Sequence, residues 1–168
     1  MPKRASQNAR LSRSAARLAA VQALYQMELT GTDWRAVRKE FENHRLGAEI
    51  EGDLYHDADL ALFRDILAGV MAEQVKIDQM TARALVDRWP LGRVDPTMRA
   101  VFRAAGHELT ARPDIPPKVT IGEYVDVTKA FFEQGKESQF VNAVLDHMAR
   151  EARPEALPPK GSPPAEGE

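Results

Sequence analysis

The chain has no cysteine and no long apolar run. With no thiol among its 168 residues, a disulfide framework, a thiolate zinc site and a cysteine nucleophile are all excluded. No apolar stretch approaches the ~20 residues that a membrane-spanning helix needs. The N-terminal segment lacks the apolar centre of a secretion signal, although its Arg, Ser and Ala content superficially resembles a mitochondrial presequence. Because this segment merges into an apparent core helix, we expect a cytoplasmic protein.

Residues that carry catalysis or hold cofactors are not found in any functional spacing. The four histidines are scattered and the glycines occur singly, so neither a metalloprotease motif nor a phosphate- or dinucleotide-binding loop is present. Asp57-Ala-Asp59 is compatible with a divalent cation, but carboxylates beside a helix start are typically capping and dipole partners. We therefore expect no enzymatic activity, no metal and no cofactor.

Positive charge is concentrated near the N-terminus. The formal net charge is only -2, from 23 Lys and Arg against 25 Asp and Glu. The first acidic residue is Glu28, and five basic residues precede it, namely Lys3, Arg4, Arg10, Arg13 and Arg17. A basic end on an acidic body favours an anionic polymer as one partner and a different molecule elsewhere. The alternative is a charged tail that binds nothing.

The stretch over residues 9–30 joins this basic segment to an apolar helix without an intervening proline or glycine. Arg10, Arg13 and Arg17 are three and four residues apart, so on a helix they share one face. Apolar residues follow at helical spacing: Leu18, Val21, Leu24, Tyr25 and Leu29. The pattern predicts a core helix over about residues 14–29, preceded by a flexible basic arm at about residues 1–9.

The remaining chain consists of helical patterns with recognisable starts and stops. The candidate N-caps are Asp33, Asp57 or Asp59, Asp95 followed by Pro96, and the capping box Thr120-Ile-Gly-Glu123. Helix ends are expected at Gly31, Pro90 and Gly135, with a break near residues 74–76. An acidic loop is expected at residues 45–56, and a disordered tail rich in Pro, Gly and Glu at residues 154–168.

These elements predict an all-α protein. The patterns amount to about seven helices, with no convincing strand. The expected architecture is two small packed three-helix bundles within a single domain over residues 10–153, with subdomains at about residues 10–75 and 76–153.

Five segments, taken in chain order, resemble one known family. They are R-L-A-A-V-Q-A-L-Y-Q-M at residues 17–27, F-R-D-I-L-A-G-V at 63–70, R-A-V-F-R-A-A-G-H-E-L at 99–109, P-K-V-T-I-G-E at 117–123 and Q-F-V-N-A-V-L-D-H-M at 139–148. Over residues 10–152 the chain is similar to the NusB transcription antitermination factors. The resemblance implies an all-helical, non-enzymatic protein of two three-helix bundles. It also implies that the chain binds single-stranded boxA RNA together with NusE, a small-subunit ribosomal protein, in an RNA polymerase antitermination complex on ribosomal RNA operons.

The resemblance also implies which residues contact RNA. Cations hold the backbone of a single strand, aromatic faces stack its bases, and an amide can bond a base edge. The expected phosphate contacts are Arg10, Arg13, Arg17 and Lys118, and the expected base contacts are Tyr25, Phe140 and Asn142. Two departures from the family are visible: the arginines of the arm are diluted by Ser and Ala, and Gly122 stands where many members carry asparagine.

Other interpretations stay open at this point. From periodicity alone, Tyr25 and Phe140 are core residues, and Arg17 is a partner in an intrahelical or interbundle ion pair. The chain as a whole also suits a helical protein-interaction scaffold, with a possible homodimer and no RNA binding of its own. A third interpretation is a regulatory domain detached from an RNA methyltransferase.

Overall fold

The structure, a computed structural model, describes residues 2–44, 49–50, 53–54, 58–85, 90–133 and 135–158. This part of the chain contains six α-helices: α1 Pro2–Thr30, α2 Trp34–His44, α3 Leu60–Ala84, α4 Pro96–Ala111, α5 Pro117–Phe131 and α6 Gly135–Ala152. The all-α prediction is confirmed. Two-residue strands, β1 Glu49–Ile50 and β2 Asp53–Leu54, pair antiparallel within the segment expected to be a loop, and a single 3-10 turn spans Leu91–Arg93.

Several helix boundaries follow the local signals. Asp59 caps α3 by accepting from the backbone N–H of Leu62 at 2.9 Å, and Asp95 caps α4 by accepting from Thr97 at 2.8 Å. Asp57 lies outside the described residues. Gly31 ends α1 with a φ of 68°, a conformation that glycine adopts at no steric cost. Asp59, one of the two carboxylates that were also compatible with a divalent cation, therefore caps a helix in this structure.

Two predicted boundaries differ from the structure at the start of the chain and inside α3. The helix expected from residue 14 begins at Pro2 and runs through the segment expected to be a flexible arm. Nothing between residues 3 and 30 breaks a helix, and Ala, Arg, Gln and Leu favour one. The expected break near residues 74–76 is a kink at Glu73 (φ -125°, ψ 18°), across which α3 continues, so two predicted helices form one.

The predicted capping box at Thr120 and Glu123 is wrong. Helix α5 begins one turn earlier, at Pro117, and its N-cap, Pro116, makes no side-chain capping bond. Thr120 is therefore buried inside the helix, and Glu123 points to α1 instead. Gly135, expected to end this helix, opens α6, because α5 already ends at Phe131.

The chain stays packed beyond the predicted start of the tail at Pro154. The backbone N–H groups of Ala156 and Leu157 donate to the carbonyl of Arg153 at 3.1 and 2.9 Å. Leu157 is 8% exposed and joins the hydrophobic core. The first residues of the predicted disordered tail thus pack on the domain, while residues 159–168 lie outside the described part of the chain.

Helix α4 is the element around which the others pack. It contacts α1, α3, α5 and α6, and its buried residues include Val101, Phe102 and Leu109. Helices α1 and α4 run antiparallel, because Arg17 pairs with Glu108 at one end and Glu28 pairs with Arg99 at the other. The hydrogen bonds from Arg99 hold the pKa of Glu28 below its usual value. The first three helices and the last three are joined along this contact.

Gly69 of α3 allows a close approach between α3 and α4. The buried ring of His107 lies directly over it, and His107 Nε2 is 2.9 Å from Asp65 Oδ2. A Cβ at position 69 would lie only 2.0 Å from Cε1 of His107. This site therefore requires glycine for space and not for an unusual backbone angle.

Replacing Gly69 with alanine is expected to destabilise the protein. The added methyl group cannot be accommodated without moving the His107 ring or the helices, and overpacking of this kind costs about 1–3 kcal/mol. The matched control is Gly122→Ala on α5, where a Cβ would meet nothing within 4 Å. That control should gain up to about 1 kcal/mol from helix propensity. Urea unfolding measures both, and a Gly69→Ala variant as stable as the wild type would contradict the close approach.

Candidate nucleic-acid interface

A cleft of about 560 Å³ lies between the first half of α1 and the start of α5. Arg10, Arg13 and Lys118 line it, and all three side chains are exposed. Part of the lining is apolar and comes from Ile115, Pro116 and Val119. With Arg17, which also lines the cleft, the structure thus brings together all four residues predicted to contact phosphate, on two helices far apart in the sequence. The side chains of residues 3 and 4 lie outside the described part.

Arg17, the fourth predicted phosphate contact, lines the cleft but its side chain is buried. Its side chain is 3% exposed, and its Nε and Nη2 donate to the two carboxylate oxygens of Glu108 at 3.0 and 2.9 Å. Arg17 is thus held by Glu108 in this structure, and its contact with phosphate stays a prediction. The alternative of an interbundle ion pair is confirmed, since Arg17 lies on α1 and Glu108 on α4.

Tyr124 of α5 completes the buried cluster. Its hydroxyl donates to Glu108, so one carboxylate binds partners from α1 and α5 at once. Burial raises the pKa of Tyr124 well above its ordinary value, and the nearby charge of Glu108 adds to the effect. Burial works against the charge of Arg17, but its hydrogen bond to Glu108 and the charges around it raise the pKa overall. The arginine is therefore a charged member of the core.

Glu123 connects the buried cluster to the cleft. Its Oε2 accepts from the Ser14 hydroxyl at 3.0 Å and lies 3.6 Å from Nη1 of Arg17. Its Oε1 lies 3.9 Å from Nε of Arg10, whose side chain is 71% exposed. A carboxylate thus lies among the cations expected to hold RNA. Glu123 is available for this position because α5 begins one turn before the predicted start, which leaves Glu123 inside the helix and not at its N-terminus.

The predicted base contacts on α6 lie in a different place. Phe140 is half-buried and meets Phe102 of α4 edge-on, with ring centroids 6.1 Å apart. It lines a second, shallower pocket of about 270 Å³ together with Met98 and the cations Arg93 and Lys136. Asn142 is exposed, but residues two apart on a helix do not share a face. Phe140 and Asn142 are therefore accessible from different sides of α6.

The two groups of predicted contacts are separated along α4. Phe102, which packs on Phe140, is six residues from Glu108, which lies beneath the cleft, and six residues of helix span about 9 Å. Tyr25 is 37% exposed, but it lies twelve residues after Arg13 on α1. On a helix this separation is about 18 Å along the axis, and Tyr25 points about a third of a turn away from the direction of Arg13. The structure joins the phosphate contacts to one another and does not join them to the aromatic residues.

Sequence reasoning missed the four side chains that organise this region. No partner of Arg17 was identified, and neither its pairing with Glu108 nor the hydrogen bond from the Tyr124 hydroxyl to that carboxylate was predicted. One signal was available: Glu108 stands beside Leu109 within an otherwise apolar helix face, and a buried carboxylate needs a partner. Ser14 and Glu123 carried no such signal, because a serine and a glutamate on an exposed helix face need no partner, and Glu123 also suited a helix cap.

The NusB family model matches residues 14–150 of the chain, which is most of its length. The chain belongs to the NusB family. Among curated proteins, the transcription antitermination protein NusB of Bradyrhizobium sp. strain BTAi1 is 48% identical over 159 residues, with 95% of this chain and 94% of that protein covered. The family is thus one of transcription antitermination factors, and the resemblance inferred from five short segments is confirmed.

Solved structures of NusB proteins share this fold. The structure of NusB from T. maritima is 29% identical, with a TM-score of 0.67 over 85% of this chain and 94% of that one. A complex of the antitermination factors NusB and NusE with double-stranded RNA gives a TM-score of 0.68 at 20% identity, over 83% of this chain and 97% of the matched one. Across the part of this NusB-family chain that the structure describes, no helix is long and apolar enough to cross a membrane.

Removing the Arg17 side chain is expected to destabilise the protein severely. An Arg17→Met variant leaves Glu108 charged, buried and without its main partner, and breaking a buried pair in this way costs about 3–5 kcal/mol. Arg13→Met is the matched control, because Arg13 is exposed and surface changes usually stay within about 0.5 kcal/mol. Denaturant unfolding gives both values. Equal, small losses for the two variants would show that Arg17 is not a buried ion-pair partner in solution.

Proposed function

We propose that this chain is an RNA-binding transcription antitermination factor. It binds boxA-type single-stranded RNA together with NusE and promotes transcription of ribosomal RNA operons, acting in the bacterial cytoplasm and without catalysis of its own. The observation that carries the proposal is the match to the NusB family over residues 14–150. The exposed cations of the α1–α5 cleft supply an independent physical reason.

The chemistry of the cleft suits the backbone of a single strand. Arg10, Arg13 and Lys118 present three cationic side chains to solvent on one side of the molecule. Guanidinium groups bind phosphate oxygens in a forked geometry, and a lysine adds a compact charge. The apolar part of the lining, including Pro116 and Val119, lets a sugar or base edge lie against the protein.

The aromatic residues extend this surface. A strand held at the cleft reaches Phe140 only if it crosses the molecule along α4 and α6, so several nucleotides must be bound at once. Phe140 offers a partly exposed ring beside Arg93 and Lys136, the combination of aromatic face and cation that binds unstacked bases. Asn142 and Tyr25 are secondary contacts in this proposal, because each is exposed but lies on another face.

Assembly with NusE is part of the proposal. The solved complex with a similar fold contains NusB, NusE and RNA, and its NusB chain is covered almost completely by this one. NusE and the RNA are therefore proposed to bind together, as the first step towards an antitermination complex on RNA polymerase. Binding of NusE supplies affinity that three phosphate contacts alone do not provide.

The direct test is the affinity of the purified chain for boxA-type RNA, with and without NusE, across a range of salt concentrations. We expect binding that NusE strengthens and that weakens as salt rises. Three phosphate contacts on a single strand predict a log–log salt slope near about -2. Affinity that does not depend on salt, or no affinity even with NusE, would contradict the proposal and favour a protein-binding scaffold.

Replacing Arg13 with alanine is expected to weaken binding to all RNA sequences alike. One lost phosphate contact should make the salt slope shallower by about 0.7, because phosphate contacts carry no sequence information. Arg35→Ala is the matched control: it removes the same charge from an exposed position on α2, outside the cleft. Filter binding or fluorescence anisotropy measures both slopes, and equal changes would indicate a general charge effect.

Replacing Phe140 with alanine should reduce affinity for boxA-type RNA by about 1–3 kcal/mol if a base stacks on its ring. Phe140 also packs on Phe102, so the loss must be separated from a folding defect. Phe140→Leu fills most of the same space without an aromatic face and serves as the second variant. Both variants should bind weakly, and Phe140→Leu should unfold at a denaturant concentration closer to that of the wild type than Phe140→Ala does. Wild-type affinity for Phe140→Leu would exclude stacking.

A further inference from the structure

Glu123 is the one acidic residue lining the cleft whose described partners are the cleft's own basic side chains. The lining also contains Asp114 and Asp126. Asp114 bonds to Arg112 at 3.1 Å, and Asp126 lies 4.0 Å from Lys129. Both of those basic partners lie outside the lining. Glu123 instead faces Arg10 and Arg17, which are both lining residues.

The charge of Glu123 is not needed to neutralise Arg17. Glu108 already holds Arg17 through two short hydrogen bonds, whereas Glu123 lies 3.6 Å away on the other side of the guanidinium. The second carboxylate therefore leaves negative charge at the floor of the cleft. That negative charge attracts Arg10, and it repels a phosphate that enters the cleft.

We propose that Glu123 weakens sequence-independent binding of phosphate at the cleft and thereby limits the absolute affinity of the RNA site. The inference rests on the RNA-binding function proposed above. Since phosphate contacts contribute affinity without sequence information, a fixed carboxylate beside them lowers binding to every RNA equally. The difference in binding free energy between boxA-type and other RNA is unchanged, but both affinities fall, so non-cognate RNA dissociates at concentrations at which boxA-type RNA stays bound.

The geometry makes Glu123 effective in this role. Its side chain is only 14% exposed, and the Ser14 hydroxyl fixes its position, so it cannot swing away into solvent as a surface glutamate does. Arg10 must exchange Glu123 for a phosphate when RNA binds. Arg13 has no such exchange to make with Glu123, and the two arginines are therefore unequal in their contribution to RNA affinity.

The test compares Glu123→Gln with Asp126→Asn in the full-length chain, with a short uridine homopolymer as the probe. The glutamine still accepts the Ser14 hydrogen bond, and Arg17 stays paired with Glu108. We expect Glu123→Gln to bind the homopolymer about three- to tenfold more tightly at low salt, with a steeper salt slope. Asp126→Asn removes the same charge one turn further along α5 and should change affinity much less.

A second pair of variants, at the two arginines, tests the inference from the side of the basic residues. Arg10→Gln should cost less homopolymer affinity than Arg13→Gln, because part of the charge of Arg10 is already compensated in the free protein. In the Arg10→Gln background, the gain from Glu123→Gln should shrink, which a double-mutant cycle measures. The ratio of the affinities for boxA-type RNA and for the homopolymer should stay the same in Glu123→Gln, because the carboxylate acts on phosphate contacts that both RNAs make.

The outcomes separate this inference from the function on which it rests. Equal gains for Glu123→Gln and Asp126→Asn, an unchanged or lower affinity for Glu123→Gln, or equal losses for the two arginine variants would each overturn it. If the homopolymer results hold but boxA-type RNA is not preferred even with NusE, the boxA assignment fails and the role of Glu123 in excluding phosphate stands.

Discussion

The structure depends on one buried ion pair, that of Arg17 with Glu108. It joins α1 to α4, and the hydroxyl of Tyr124 brings in α5 at the same carboxylate. A charged pair in a core has only a few satisfactory geometries, because each unpaired donor or acceptor there costs free energy. The pair therefore sets the register of three helices more narrowly than their apolar faces do. The position of the basic cleft above it follows from that register.

The same arrangement explains why the arginines of α1 have different roles. The sequence pattern places Arg10, Arg13 and Arg17 on one face of α1. The structure buries only part of that face, the part that carries Arg17. Helix α5 covers it from one side through Glu123, which leaves Arg13 open, Arg10 partly compensated and Arg17 enclosed. Among the described residues, three similar side chains thus differ in their carboxylate partners: Arg17 pairs with Glu108, Arg10 lies near Glu123, and Arg13 faces solvent.

Much of the fold could be predicted from local signals, and the failures have a common physical cause. Helix caps and a positive φ depend only on residues close by in the sequence, so the roles of Asp59, Asp95 and Gly31 could be predicted. The partners of Glu123 and Arg17 could not be read from the sequence, because they lie 109 and 91 residues away. Local chemistry allowed a capping box and a phosphate contact equally well. For the candidate site, sequence reasoning therefore found the cations but not the carboxylates that modulate them.

The sequence distance between Arg17 and Glu108 has a consequence for synthesis of the protein on the ribosome. Chains emerge from the N-terminus at about 5–20 residues per second, so α1 leaves the exit tunnel roughly 5–20 seconds before the helix that buries it. The buried face of α1 near Arg17 is formed largely by alanines, Ala16, Ala19, Ala20 and Ala23, which expose little apolar area while they wait. The part of α1 around Arg17 therefore exposes little apolar area before α4 and α5 are synthesised.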